Sequence, residues 1–226
     1  MALREQYGEV VNHKLLRKLL RLWGLGLPRR IRKPQPGLVQ RILHFLGRRA
    51  NLLFRATPQR CMQVLVSDIT QITYGGGTAY LCVHLDHFAK QIYGWKLAVS
   101  ADASLAIGSF RAAKDRICGL LGRLPRLIVH QDRGTAYTSH GYVQGLLNEH
   151  VRLSYSRTGE PGDNAVNEAF FSRFKEERRD LLAEAETFEQ LEEIVANAIA
   201  YHNERRYHSS LNYRTPSGFV AEDLAS

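Results

Sequence analysis

From Cys61 onward, hydrophobic positions recur first with the period of a strand and then with that of a helix. Residues 61–73, CMQVLVSDITQIT, are rich in β-formers. Gly75, Gly76 and Gly77 interrupt them, TAYLCVHLDHF resumes the pattern, and KQIYGWKLA at 90–98 supplies a third run. Three such runs predict an antiparallel meander. At 103–118 the period changes, with Ala106, Phe110, Ala113 and Ile117 on one helical face. RLIVHQD at 126–132 is a short apolar run following that helix, as a buried parallel strand would be. SHGYVQGLLNEH predicts a helix, VRLSYS another strand, and residues 163–182 one long helix. A last helix starts at Thr187, where Gln190 completes a capping box. Phe188, Leu191, Ile194, Val195, Ala198 and Ile199 are its buried stripe. The order of three strands, helix, strand, helix, strand, helix, helix predicts an α/β fold, a mixed five-stranded sheet with helices on its faces.

The first quarter reads differently. EVVNHKLLRKLLRLW at 9–23 predicts a helix with Val11, Leu15, Leu19 and Leu22 on one side and Lys14, Arg17, Lys18 and Arg21 on the other. Gly24 and Gly26 stop it. PRRIRKPQPG at 28–37 carries three prolines with Arg29, Arg30, Arg32 and Lys33, a composition that predicts an extended linker. A short helix is expected at 38–48 but no compact core in 1–58, so 1–58 is expected to be a basic helical arm and 59–226 the folded domain. Charge sharpens that division. Residues 1–60 hold fourteen Lys and Arg against two acidic residues, whereas the remainder holds seventeen against twenty. The whole excess behind the net charge of +9 therefore lies in the arm. A polyanion engaged by the arm is the implied partner. A membrane-surface helix at 9–23 is the rival reading.

Other classes fall away. No stretch approaches the roughly 20 apolar residues of a membrane span, and MALREQYGEV has no apolar leader core. A cytoplasmic protein is expected. Cys61, Cys82 and Cys118 form no Cys-x-x-Cys pair, which suggests neither a zinc site nor a disulfide frame.

Three carboxylates are candidates for chemistry. Asp68 shares a strand face with Val64 and Val66, and a carboxylate there is costly without a partner. Asp132 ends LIVHQD, where ligands of α/β sheets gather. His130 lies on the same face two residues earlier. Glu168 is one turn into the helix opened by Gly159, Pro161, Gly162 and Asp163, and Lys175 lies two turns beyond it on the same face. Singly, each carboxylate has an ordinary alternative: an edge-strand Asp, a turn cap, a solvated helix Glu. Together, two strand aspartates and a helix glutamate could supply the bridging oxygens that a pair of magnesium-like ions needs.

These blocks resemble the insertion-sequence transposases whose catalytic core is of the integrase DDE type, on a ribonuclease-H-like fold. The resemblance runs from about Asn51 to Val220 and rests on four ordered segments. They are VSDITQI with YLCVHLDHFAKQIYGW, VHQDRGTAYTS, SYSRTGEPGDNAVNEAFFSRFKEE and YHNERRYHSSLNYRTP. Thirty-five residues lie between Asp132 and Glu168, as in that family. The resemblance implies that Asp68, Asp132 and Glu168 ligate two Mg2+ or Mn2+ ions and that Lys175 contacts DNA. It implies that Asn164 and His130 support the site and that Asp86 and Lys90 are structural. Tyr201, Asn203, Arg206, His208 and Pro216 belong to a segment serving the fold or assembly. Leu65 and Gln131 depart from the family, which favours Trp and Ser there, and the stretch before Cys61 matches only the end of a helix-turn-helix region.

The implied function is DNA strand cleavage and strand transfer by two-metal phosphoryl transfer, by a homo-oligomer on DNA at the nucleoid. A separate upstream-frame protein is a possible partner for DNA recognition. An inactive DNA-binding remnant and a ribonuclease-H-type nuclease without transposition are the alternatives.

Overall fold

The sheet is built from the chain's alternating segments, as a computed structural model of the protein shows. The structure describes residues 12–25, 35–53, 58–157 and 165–225. Strands β1 (Val64–Tyr74), β2 (Gly77–Asp86), β3 (Ile92–Ala98), β4 (Ile128–Gln131) and β5 (Arg152–Tyr155) form one sheet in the order β3-β2-β1-β4-β5. The first three are antiparallel neighbours, and β4 and β5 join parallel. The helices are α1 (His13–Leu22), α2 (Leu38–Leu46), α3 (Ala103–Leu121), α4 (His140–Asn148), α5 (Ala165–Glu177), α6 (Arg179–Glu184), α7 (Phe188–Glu204) and α8 (Pro216–Ala225).

The period of two splits β1 between two cores. Leu65 and Ile69 face Leu105, Phe110 and Ile117 of α3 and Tyr142 and Leu146 of α4. Val66 and Ile72 face Phe170, Phe171 and Phe174 of α5 and Leu191, Val195 and Ile199 of α7. The result is the mixed sheet covered on both faces that the sequence predicts. The capping box at α7 forms, with Thr187 Oγ1 accepting from Gln190 N at 3.2 Å and Gln190 Oε1 accepting from Thr187 N at 3.1 Å.

Two expectations are corrected. The helix over 163–182 is two helices, because Arg178 leaves helical geometry at φ −114, ψ 13. The break lets α6 dock on the β1–β2 turn. Gly75 N donates to Leu182 O at 3.0 Å and Gly76 N to Ala185 O at 2.9 Å. A Cβ at either glycine would collide with backbone carbonyls of 183–186. The boundary expected at residue 58 lies earlier, since the compact units are 1–35 and 36–226. Leu43 and Ala50 are buried in the α3-side core with Val39 and Leu46 packed against it, and Leu52 N donates to Ser154 Oγ at 2.9 Å. The apolar spacing of α2, at 39, 43 and 46, is thus a genuine core stripe among basic neighbours.

The closing segment is pinned to the β3 edge. Asn203 Oδ1 accepts from Ile92 N at 2.9 Å, and its Nδ2 donates to Ile92 O at 3.0 Å. His202 Nε2 donates to Lys90 O at 2.8 Å. α8 then begins at Pro216, where the missing N–H costs nothing. Asn203→Ala leaves two buried backbone groups unpaired and is expected to cost about 1–3 kcal/mol in urea unfolding. A loss within error would show that the clamp contributes nothing.

Candidate active site

The sheet register brings the two aspartates to one level. β1 and β4 run parallel with Val66 beside His130, and Asp68 and Asp132 each stand two residues further along. Both fall on the face of that pair, on strands about 4.8 Å apart. That is the face covered by α5, whose phenylalanines pack beneath it and whose first turn carries Glu168. Asp68 is half-buried, while Asp132, Glu168 and Lys175 are exposed.

The electrostatics register this convergence. The Asp68 carboxyl is pushed up to about 7, by burial first and then by the charges of Asp132 and Glu168. The Ile69 N–H, donated to Asp68 Oδ1 at 2.8 Å, and the Lys175 ammonium act against that rise. Strand, loop and helix residues as distant in sequence as Asp68 and Lys175 therefore share one field.

The loop after β4 is held from several sides. Asp132 Oδ1 accepts from Gly134 N at 2.8 Å. Arg133 donates to Ser156 O at 3.0 Å and to Gly47 O at 3.3 Å. Buried Tyr137 shares a hydrogen bond with Ser67 Oγ at 2.9 Å, and its carbonyl accepts from Tyr155 OH at 3.0 Å. His130 is fully buried, with Nδ1 2.8 Å from Ser154 Oγ and Nε2 3.0 Å from Ser156 Oγ. Both ring nitrogens brace β4 against the β5 segment. Sequence reading missed Arg133, Tyr137, Ser154 and Ser156, though all lie in or beside the segments that carried the resemblance.

The candidate donors are all carboxylate oxygens, which suits hard divalent cations, and an acid raised by burial and then by two like charges is a site that a cation would relieve. Among the described residues, however, no three His, Cys, Asp or Glu side chains stand at ligating distance from a common point.

Asp86 is buried and structural in its contacts. Its carboxylate accepts from Met62 N at 2.6 Å, Phe88 N at 2.8 Å and Ala89 N at 3.1 Å. Lys90, at φ 60, donates to His87 O at 2.5 Å. Tyr201 lies under the guanidiniums of Arg178 and Arg206, and Arg206 pairs with Glu177. On α1, Lys14, Arg17, Lys18 and Arg21 form an exposed cationic face. Arg29, Arg30, Arg32, Lys33 and Asn164 lie outside the described residues. No helix among the described residues is long and apolar enough to cross a membrane.

Residues 58–161 and 149–216 match the Integrase core domain family. A transposase for insertion sequence element IS904 of Lactococcus lactis is 37% identical over 172 residues, covering 75% of this chain and 64% of that protein. An uncharacterized transposase-like protein of Haemophilus influenzae is 31% identical over 219 residues, covering 92% of this chain and 94% of that one. The chain thus spans under two-thirds of the IS904 transposase but nearly all of the Haemophilus protein. Among solved structures, the HTLV-2 integrase catalytic core domain in complex with magnesium, in a dimeric form, aligns with TM-score 0.54 at 16% identity, covering 73% of this chain and 98% of that one. A simian T-cell lymphotropic virus intasome chain aligns with TM-score 0.59, also at 16% identity, over 73% of this chain and 56% of its own. Sheet order, flanking helices and these matches agree, and the chain belongs to the integrase-core family of insertion-sequence transposases, on a ribonuclease-H-like fold.

Proposed function

We propose that this chain cleaves DNA strands and joins them to new sites by metal-dependent phosphoryl transfer, with Asp68, Asp132 and Glu168 as catalytic carboxylates. The observation that supports the reading is the field at Asp68, to which the remote carboxylates of Asp132 and Glu168 and the Lys175 ammonium all contribute. The HTLV-2 core's magnesium supports a divalent ion here, and the three carboxylates would hold two Mg2+ or Mn2+ ions. The chemistry such a bound pair supplies is a lowered pKa for the attacking oxygen and neutralised charge on the departing one. The chain's own part is positional. Asp68 is fixed by its strand, Asp132 by the Arg133 and Tyr137 anchors of its loop, and Glu168 by a helix end that packs three phenylalanines. Lys175 places a cation beside them for a phosphate oxygen. No covalent enzyme intermediate is required. The dimeric HTLV-2 core supports a homo-oligomer on DNA. Incubating the full chain with Mg2+ and supercoiled DNA should yield nicked and strand-transfer products, and the absence of both would overturn the reading.

The cationic face of α1 is proposed to grip phosphates without reading sequence. Replacing Lys14, Arg17, Lys18 and Arg21 together with Gln removes up to four phosphate contacts. Each such contact is worth about 0.9 in the slope of log affinity against log salt. The slope for duplex DNA is expected to fall by roughly 2–4, with the thermal transition of the 36–226 unit unchanged. An unaltered slope would remove α1 from the interface. Cutting the chain at residue 50 would be the wrong test, because it removes Leu43 from the core.

A further inference from the structure

A cleft of about 500 Å³ opens along α5 on a flank away from Glu168. Ala165, Val166, Ala169, Phe170 and Arg173 form its helix wall, and Lys90, His202, Tyr207, His208 and Tyr213 are among the residues that close it. Two features make it more than a fold in the surface. The first is charge. Arg173, Arg206 and Lys90 surround a pair of histidines whose rings meet edge to face at 5.0 Å. Glu177 is already paired with Arg206. Burial, first, and then these cations hold His208 down to about 4, and burial, with His208, Arg206 and Arg173 nearby, holds His202 down to about 4 against its hydrogen bond to Lys90 O. His208 is only 9% exposed, and its buried Nε2 has no hydrogen-bond partner. The cleft thus combines a positive field with one unpartnered buried ring nitrogen.

The second feature is the aromatic rim. Tyr207 and Tyr213 are 71% and 75% exposed. They flank a tight loop closed by the bridge between His208 and Arg214, in which Asn212 and Tyr213 both take positive φ, 53 and 58. An aromatic residue held there is strained, and an exposed side chain gains no burial in return. The loop therefore presents Tyr213 at a cost to the fold.

We propose that this cleft binds an unpaired nucleotide of the DNA substrate, its phosphate among Arg173 and the histidines and its base stacked on Tyr207 and Tyr213. Cation plus stacking platform is the chemistry by which single strands are held irrespective of sequence. Ala169 of the cleft wall directly follows Glu168 on α5, so a strand frayed beside the reacting phosphate has a short path to it. The assignment rests on the reading of the chain as a DNA-processing enzyme.

The test uses fluorescence anisotropy on the full chain with two probes, a blunt duplex and the same duplex bearing a short single-stranded flank. The wild type is expected to bind the flanked probe about 10-fold more tightly. Tyr207→Ala/Tyr213→Ala should abolish that preference without weakening blunt-duplex binding, while Tyr207→Phe/Tyr213→Phe should retain it. Arg173→Gln should reduce the salt slope for the flanked probe by about 0.7 and leave that for the blunt probe alone. Equal wild-type affinity for both probes overturns the cleft assignment while leaving the DNA reading intact. A preference that survives the double alanine variant also overturns it. Failure to bind either probe overturns the DNA reading itself.

Discussion

Asp68→Asn, Asp132→Asn and Glu168→Gln are each expected to lower strand cleavage by roughly 10³-fold or more, the scale set by losing a principal charged group in a phosphoryl-transfer site. Each change keeps shape and volume and removes only charge, so the fold should survive. The three are expected to fail alike, because all three are proposed to hold the same pair of ions. DNA affinity should hold, since phosphate contacts are assigned to Lys175 and the α1 cations rather than to the carboxylates. Lys175→Ala separates the two roles, weakening binding at low DNA concentration while sparing much of the rate at saturation. Cleavage is followed on a labelled duplex at saturating Mg2+. Wild-type rates in any one of the three carboxylate variants would end the assignment.

The sheet was legible because its signal is local. Alternation in 61–98 and the apolar runs at 126–132 and 151–156 are patterns within single segments, and the mixed topology follows from the order of segments. The convergence of Asp68 and Asp132 was legible only through the resemblance, since the parallel register that aligns them is a long-range pairing that no spacing encodes. Two features were hidden for a related reason. The break at Arg178 answers to the carbonyl-seeking N–H groups of Gly75 and Gly76, a hundred residues away, and the helical pattern of 163–182 carries no trace of them. The burial of Leu43 was masked by its basic neighbours, which make the first sixty residues read as a solvated arm when only the part before Pro36 forms a separate unit. The bracing of His130 by Ser154 and Ser156 was equally out of reach, because it needs β4 and β5 side by side.

Asp68→Asn is also expected to stabilise the metal-free protein. In the folded chain this carboxyl titrates at about 7 against an ordinary value of 3.8, so between those values the folded state holds a proton that the unfolded chain has released. Stability therefore falls as pH rises through that window, and the full cost of the buried charge stands above pH 7. Asp68→Asn has no charge to bury. Near pH 8 it is expected to exceed the wild type by roughly 1–3 kcal/mol, and the gap should close as pH falls toward about 4. Mg2+ should raise the Tm of the wild type near pH 8 by binding the folded state, and should do little for Asp68→Asn. Melting curves across the pH range, with and without Mg2+, decide the matter. Coincident curves would mean that Asp68 is solvated like any surface acid. A stability gained where activity is lost would instead mark the carboxylate cluster as strain kept for its ligand.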